Sequence, residues 1–281
     1  MIPVAFDYER ASSVDDAIAK LAAAGGGKVI AGGHSLVPLM KLRLSEPGRL
    51  VDISRIPGLS GIKDAGGRIE IGATTTHAEV AASALLRDKC PMLAEAAAEI
   101  GDPQVRNRGT IGGSIAHADP AADMPAVAIA LDADIQLKGK NGARSVKASA
   151  FFRGFYDVDL AAGELIVAIH FTPVKSAAYA KLHQRASHYA IVGAAAALEV
   201  KGGVIQSARI GLTGATTHAV RLAGVEKALA GKKADGIAAA VAAAASEVAD
   251  LNGDLHASAE YRKAMIPVFV RRAVEKALTR S

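Results

Sequence analysis

The sequence predicts an α+β protein, and three observations predict it. Residues 1–55 alternate strand and helix signals around a glycine-rich loop. Residues 56–176 mix capped helices with an apolar strand and a hairpin signal. From about Ala177 the texture changes to three strand patterns followed by alanine-rich helices, as expected for a sheet-and-helix unit of its own. The chain therefore divides as 1–55, 56–176 and 177–281: two α/β subdomains, then a three-stranded antiparallel sheet with helices.

Taken in order, Pro3-Val4-Ala5-Phe6 reads as a first strand. Ser12 or Ser13 caps a helix through Asp15, Asp16, Ala17, Ile18 and Leu21, with acids in its first turn where the helix dipole favours them. Gly25-Gly26-Gly27 reads as that helix's C-terminus entering a turn. Lys28-Val29-Ile30 is a strand, Leu36 to Met40 a short helix, and Arg49 to Ile53 another strand. Pro57 to Gly61 marks a turn and a subdomain boundary. Arg68 to Gly72 alternates like a half-buried strand, and Thr76 with Glu79 forms a capping box for a helix starting at His77. A further helix runs from Met92 to Ile100 and stops at Gly101-Asp102-Pro103; an apolar one runs from Met124 to Leu131. Ala133 to Lys138 and Ala143 to Lys147 form a hairpin around Asn141-Gly142. Phe151 to Tyr156 gathers most of the aromatic side chains, read here as core, and Glu164 to Phe171 is an apolar strand. Tyr179 to His183, Ile191 to Val200 and Val204 to Leu212 make the last three strands. Helices follow around Val225 to Ala230, Ile237 to Val248 and Met265 to Leu278.

Composition excludes several classes of function. A net charge of +5 is spread along the chain without a basic block or aromatic interleaving, which argues against nucleic acid. No uncharged apolar run is long enough to span a bilayer, and Asp7 and Glu9 break any signal-peptide pattern, so a cytoplasmic location is expected. Cys90 is the only cysteine, which removes internal disulfides, cysteine-ligated zinc and any iron–sulfur cluster held by this chain alone. It reads as a small core residue. The eight histidines lack metal-ligand spacing; His183 and His188 lie five apart in a strand-like stretch and are expected to face opposite sides. No metal site is expected.

Two glycine loops carry the chemistry. Ala31-Gly32-Gly33-His34-Ser35 follows the strand at Lys28-Val29-Ile30, and glycines there let the backbone turn tightly and approach a ligand. Consecutive N–H groups in such a turn form a concave donor set for phosphate. Gly109-Thr110-Ile111-Gly112-Gly113-Ser114 repeats the pattern downstream. Neither loop matches a named nucleotide fingerprint, and either alone is an ordinary tight turn; the pair points to a diphosphate gripped from two sides. Arg106 and Arg108 either neutralise phosphate or stand in solvent. Asp123 either caps the helix that follows it or accepts hydrogen bonds from ribose hydroxyls.

The stretches A-G-G-H-S-L-V-P-L-M-K-L-R-L from Ala31, V-D-I-S-R-I-P-G-L from Val51, G-A-T-T-T-H-A-E-V from Gly72 and G-D-P-Q-V-R-N-R-G-T-I-G-G-S-I-A-H-A-D-P-A-A-D from Gly101 resemble the FAD-binding medium subunit of molybdenum hydroxylases. That family includes the medium chain of carbon monoxide dehydrogenase and the flavin domain of xanthine dehydrogenase. The resemblance spans nearly the whole chain, with the motifs in the family's order. It implies a vanillyl-alcohol-oxidase-like FAD-binding fold followed by the C-terminal domain. It implies FAD diphosphate between Ala31, Gly32, Gly33, His34, Ser35 and Thr110, Gly112, Gly113, Ser114, with His117 and Asp123 near the ribityl and ribose groups. Leu165 and Ile166 would pack near adenine, Lys181 would reach the flavin side or a phosphate, and Tyr189 would lie against the isoaloxazine. Tyrosine at that position matches the carbon monoxide dehydrogenase-like branch and argues against NAD as acceptor.

The resemblance further implies an oxidoreductase subunit with no catalytic side chain of its own. Electrons would arrive from two 2Fe–2S clusters on an iron–sulfur small subunit and leave through FAD to an external acceptor, while molybdopterin sits on a large subunit in a dimer of heterotrimers. The competing readings are a self-sufficient FAD-dependent oxidoreductase and a non-enzymatic flavin-binding module.

Overall fold

The computed structural model describes residues 1–23 and 27–281. Of the expected turn at Gly25-Gly26-Gly27, all but Gly27 lies outside the described residues.

The first unit is a parallel three-stranded sheet. Arg49–Asp52 is its central strand, flanked by Asp7–Arg10 and Lys28–Ile30. The helix Val14–Ala23 connects the two flanking strands, and Ser13 Oγ accepts from the Asp16 N–H at 3.0 Å. The first strand is at Asp7–Arg10 rather than at 3–6, although its residues are polar. Its place is set by the ladder with Arg49–Asp52, and Arg49 pairs with Glu9 at 3.0 Å and Asp7 at 3.6 Å across it. Cross-strand pairing outweighs the apolarity of the preceding segment.

The second unit is antiparallel throughout, in the order Ile62–Asp64, Ile69–Gly72, Leu165–Phe171, Asp134–Gly139, Gly142–Lys147. The hairpin turns at Lys140-Asn141, one residue earlier than expected, with Gly142 in the left-handed region at φ 106°. Thr76 and Glu79 form the expected capping box for His77–Ala82. Ser83 ends that helix and caps the next, Ala84–Lys89, which is followed by Pro91–Ala98. The helix Asp123–Ala130 is buried on every side, as its unbroken apolar sequence requires. It lies against the C-terminal sheet so closely that a Cβ on Gly211 would stand 2.9 Å from the Ala126 carbonyl carbon.

The C-terminal sheet has four strands, one more than expected: Ala177–His183, Ala190–Lys201, Val204–Thr213 and Val220–Arg221. The last is two residues long, too short to leave a periodic signal. The alanine-rich stretch expected as one helix over 237–248 is broken into the α-helix Ile237–Val241 and a 3-10 turn at Ala244–Glu247. Intrinsic propensity gives way there to a tertiary bond, in which Glu247 accepts the Gly224 N–H at 2.7 Å. The final helix, Ala259–Leu278, is longer than expected and is tied to the middle unit through Glu95, which pairs with Lys276 at 3.1 Å and with Arg280. Among the described residues, no helix is long and apolar enough to cross a membrane.

Candidate functional site

A cavity of about 1180 Å³ opens where the three units meet, and both glycine loops line it. The first loop leaves the strand Lys28–Ile30 and enters the helix Leu36–Lys41. Gly33 has φ 75°, a conformation that side chains with a Cβ rarely adopt. Val37 N–H donates to Gly33 O at 2.9 Å, closing the turn, while the Ser35 hydroxyl makes no cap bond to its own helix. The N–H groups of Gly33, His34 and Ser35 find no acceptor among the described residues. They form an open donor set on the cavity wall, the arrangement that receives an anion.

The second loop differs. Thr110 is the N-cap of the helix Ile111–His117, and its Oγ1 accepts the Gly113 N–H at 3.1 Å. The N–H groups of Ile111 and Gly112 go to Thr75 O and Ala73 O, at 3.0 and 2.9 Å. A Cβ on Gly112 would stand 2.6 Å from Ala73 Cβ, so this glycine serves close backbone packing. The loops also interlock: a Cβ on Gly32 would lie 2.8 Å from Gly109 Cα and closer still to Arg108 O. Thr110, Gly112, Gly113 and Ser114 all line the cavity, but most of the free backbone donors come from the first loop.

Around the rest of the wall stand Leu165 and Ile166, both buried at the start of their strand, with His117, Asp123 and Tyr189. Burial lowers the pKa of His117, whose ring lies 4.9 Å from that of Tyr156. Tyr156 donates to Asp119 at 3.1 Å, and burial, with Asp119 beside it, raises the Tyr156 phenol well above its usual range. Tyr189 is 45 % exposed, and its phenol is pushed up by burial and by Asp119 and Asp123.

Lys181 is not part of the lining. Its side chain is fully buried behind the wall, where Nζ donates to Asp123 at 3.0 Å, Glu99 O at 2.9 Å and His188 O at 2.8 Å. Lys181, expected to reach the flavin side or a phosphate, is thus placed on Asp123 and two carbonyls, with its three donors occupied by protein. Asp123 opens its helix without capping it. Its carboxylate accepts from Lys181 and from the Tyr179 hydroxyl at 2.5 Å; burial pushes its pKa up, and those two partners oppose the shift.

Other expectations also change. His183 and His188 do not face opposite sides: their ring centroids are 5.0 Å apart, because 184–189 is a tight turn closed by Gln184 N–H to Tyr189 O at 2.8 Å. Arg106 donates to Ile100 O and Gly101 O at 2.9 and 3.1 Å, closing the turn after the helix Pro91–Ala98. Arg108 is exposed. The aromatic run divides, with Phe151 and Phe152 in the core and Phe155 and Tyr156 exposed at a hairpin tip. Cys90 is buried, and burial pushes its thiol up to about 12, so it is unreactive.

Sequence reasoning missed His77. In the sequence it is only the first residue of a capped helix, yet it lines the cavity, is 4 % exposed, and leaves Nδ1 without a hydrogen-bond partner among the described residues. Burial, with His34 nearby, lowers its pKa from 6.5 to about 4. The unfolded chain therefore binds a proton that the folded one does not. The ligand-free protein is expected to keep this contribution above pH 6.5 and to lose about 1.4 kcal/mol per pH unit as pH falls from there towards 4. Urea unfolding from pH 7 to 4.5 measures the slope, which should flatten in His77→Phe.

Comparison with known proteins agrees with this geometry. The FAD binding domain in molybdopterin dehydrogenase matches residues 4–174, and the CO dehydrogenase flavoprotein C-terminal domain matches residues 177–277. The carbon monoxide dehydrogenase medium chain of Hydrogenophaga pseudoflava is 41% identical, the alignment covering 100% of this chain and 99% of the relative. The 6-hydroxypseudooxynicotine dehydrogenase complex subunit alpha of Paenarthrobacter nicotinovorans is 40% identical over 100% of this chain and 97% of its own. A chain in the structure of the Hydrogenophaga pseudoflava carbon monoxide dehydrogenase, in a form lacking the Mo-pyranopterin moiety of its molybdenum cofactor, superposes with a TM-score of 0.95. It is 42% identical, with 100% and 99% of the two chains covered. With both halves of the chain matched and the cavity formed between them, this protein belongs to the family of FAD-binding medium chains of molybdenum hydroxylases.

Proposed function

We propose that this chain holds FAD in the cavity and is the electron exit of a molybdenum hydroxylase. It would stand between the 2Fe–2S clusters of an iron–sulfur small subunit and an external acceptor, with molybdopterin on a large subunit, in a cytoplasmic dimer of heterotrimers. The observation that carries the reading is the first glycine loop, whose adjacent unpaired N–H groups face a cavity of about 1180 Å³. That volume exceeds the roughly 300–1,000 Å³ of ordinary small-molecule sites and suits a dinucleotide.

In this reading residues 1–55 and 56–176 are the two halves of a vanillyl-alcohol-oxidase-like FAD-binding fold, and 177–281 is the domain that completes the cavity. The Gly33, His34 and Ser35 amides bind the diphosphate, with the Thr110 and Ser114 hydroxyls on the opposite side. Leu165 and Ile166 cover the adenine, His117 and Asp123 stand beside the ribose and ribityl groups, and Tyr189 lies against the isoaloxazine. Lys181 acts at one remove, holding Asp123 and the carbonyl of His188 and thereby placing Tyr189. Bound FAD supplies a centre able to hold zero, one or two electrons, and the protein supplies placement and electrostatics. One buried cysteine leaves cluster ligation to another chain.

The two relatives named for different oxidations are nearly equally similar to this chain, which fits a substrate pocket on the large subunit. Stopped-flow absorbance tests the proposal. Bound flavin should be reduced by an organic donor only when this chain is assembled with its two partners; turnover by the isolated chain would mean that it carries its own substrate site. Tyr189→Ala is expected to shift the bound flavin spectrum while changing stability by less than about 1 kcal/mol, because the side chain is half exposed. Flavin absorbance and a thermal melt on one sample check both.

A further inference from the structure

We propose that His77 is a binding residue for the diphosphate of the cofactor, donating a hydrogen bond from Nε2 as a neutral imidazole beside the first glycine loop; this rests on the FAD reading above. Three observations place it there. His77 is 4 % exposed and lines the cavity, and its Nδ1 has no partner among the described residues. Nε2 also makes no hydrogen bond among the described residues, and unlike Nδ1 it is not among the fully enclosed unpaired atoms, so it is the ring nitrogen left open to a ligand. Its position is fixed by the glycines. A Cβ on Gly109 would stand 3.0 Å from His77 Cδ2 and 3.3 Å from Nε2, while a Cβ on Gly32 would stand 2.8 Å from Gly109 Cα. Gly109 thus packs against both the imidazole and Gly32 of the first loop, where the Gly33, His34 and Ser35 amides are unpaired. The His77 backbone N–H is held by Gly109 O at 2.9 Å, which keeps the ring against this junction.

The chemistry also selects the nitrogen. Nδ1 is sealed inside the protein, and a lone pair is cheaper to leave there than an N–H. The proton therefore sits on Nε2, which faces the cavity as a donor. Burial keeps the ring neutral at neutral pH, so no free cation has to be buried before the ligand arrives. The partner of such a donor beside an amide nest is an anionic oxygen, which in FAD means the diphosphate.

The test begins with FAD affinity of the full chain, read by flavin fluorescence. His77→Phe keeps a planar ring and removes the donor. It is expected to weaken FAD about tenfold while leaving the thermal midpoint of the ligand-free protein unchanged or higher. Affinity within twofold of the unmodified chain, with FAD still bound, overturns the role of His77 and leaves the FAD reading standing; failure of the unmodified chain to bind FAD overturns both. If His77→Phe also lowers the midpoint, the unmodified chain decides. With 15N-labelled histidine, ADP or inorganic pyrophosphate should move the His77 ring resonances at saturation, and adenosine should not. Resonances that stay in place with all three contradict the proposal.

Discussion

Asp123→Ala is expected to destabilise the protein by roughly 3–5 kcal/mol, the cost of leaving a buried charge without its counter-charge. The Lys181 side chain is fully buried, and of its three partners only Asp123 carries charge; the other two are the carbonyls of Glu99 and His188. Removing the carboxylate strands this ammonium and also orphans the Tyr179 hydroxyl, which donates to Asp123 from a fully buried ring. The pair is a cross-brace, since Asp123 opens the central helix of the middle unit and Lys181 lies on the first strand of the C-terminal sheet. Urea denaturation measures the loss as a lower midpoint at unchanged slope. The double substitution Asp123→Ala with Lys181→Met should recover part of it, because the stranded charge goes too. Because Lys181 also holds His188 O beside Tyr189, any flavin that Asp123→Ala still binds should show an altered spectrum. A loss below about 1 kcal/mol would mean that the pair is solvated and does not brace the units.

The second large effect is expected at Gly32. Alanine there places a Cβ 2.8 Å from Gly109 Cα and from the Arg108 carbonyl carbon, and these are backbone atoms that cannot rotate away. The two glycine loops must part, at a cost of about 1–3 kcal/mol. Parting them moves the open amides away from the opposite wall, so FAD affinity should fall at least tenfold. Gly48→Ala is the control: nothing lies within 4 Å of its Cβ position, and its stability and affinity should not change. Equal behaviour of the two variants would show that the loops are not locked together.

Much of this architecture is legible in the sequence because its signals are local. The capping box at Thr76 and Glu79, the strand–glycine–helix passage from Lys28 to Lys41 and the apolar strand Leu165–Phe171 each declare themselves within a few residues. The residues that line the cavity are legible through the glycine-loop motifs and the family resemblance they carry. Long-range partners are not written locally. Lys181 and Asp123 are 58 positions apart, and nothing near either shows that they neutralise each other. Phe6 sits in an apolar run and yet stays partly exposed, because the strand begins where Arg49–Asp52 can pair with it. His183 and His188 have the spacing of opposite faces of a strand, and only the tight turn at 184–189 brings their rings together. His77 occupies an unremarkable first-turn position, and only the packing of Gly109 against it shows that its side chain is enclosed and unpaired.

The most direct measurement is a binding titration of the full chain with FAD, FMN and ADP, followed by flavin fluorescence and thermal shift. The predicted result is FAD bound well above FMN, with ADP competing, because the open amides of the first loop are a diphosphate site and the cavity beyond them fits a dinucleotide. FMN bound as tightly as FAD, with ADP without effect, would contradict the account.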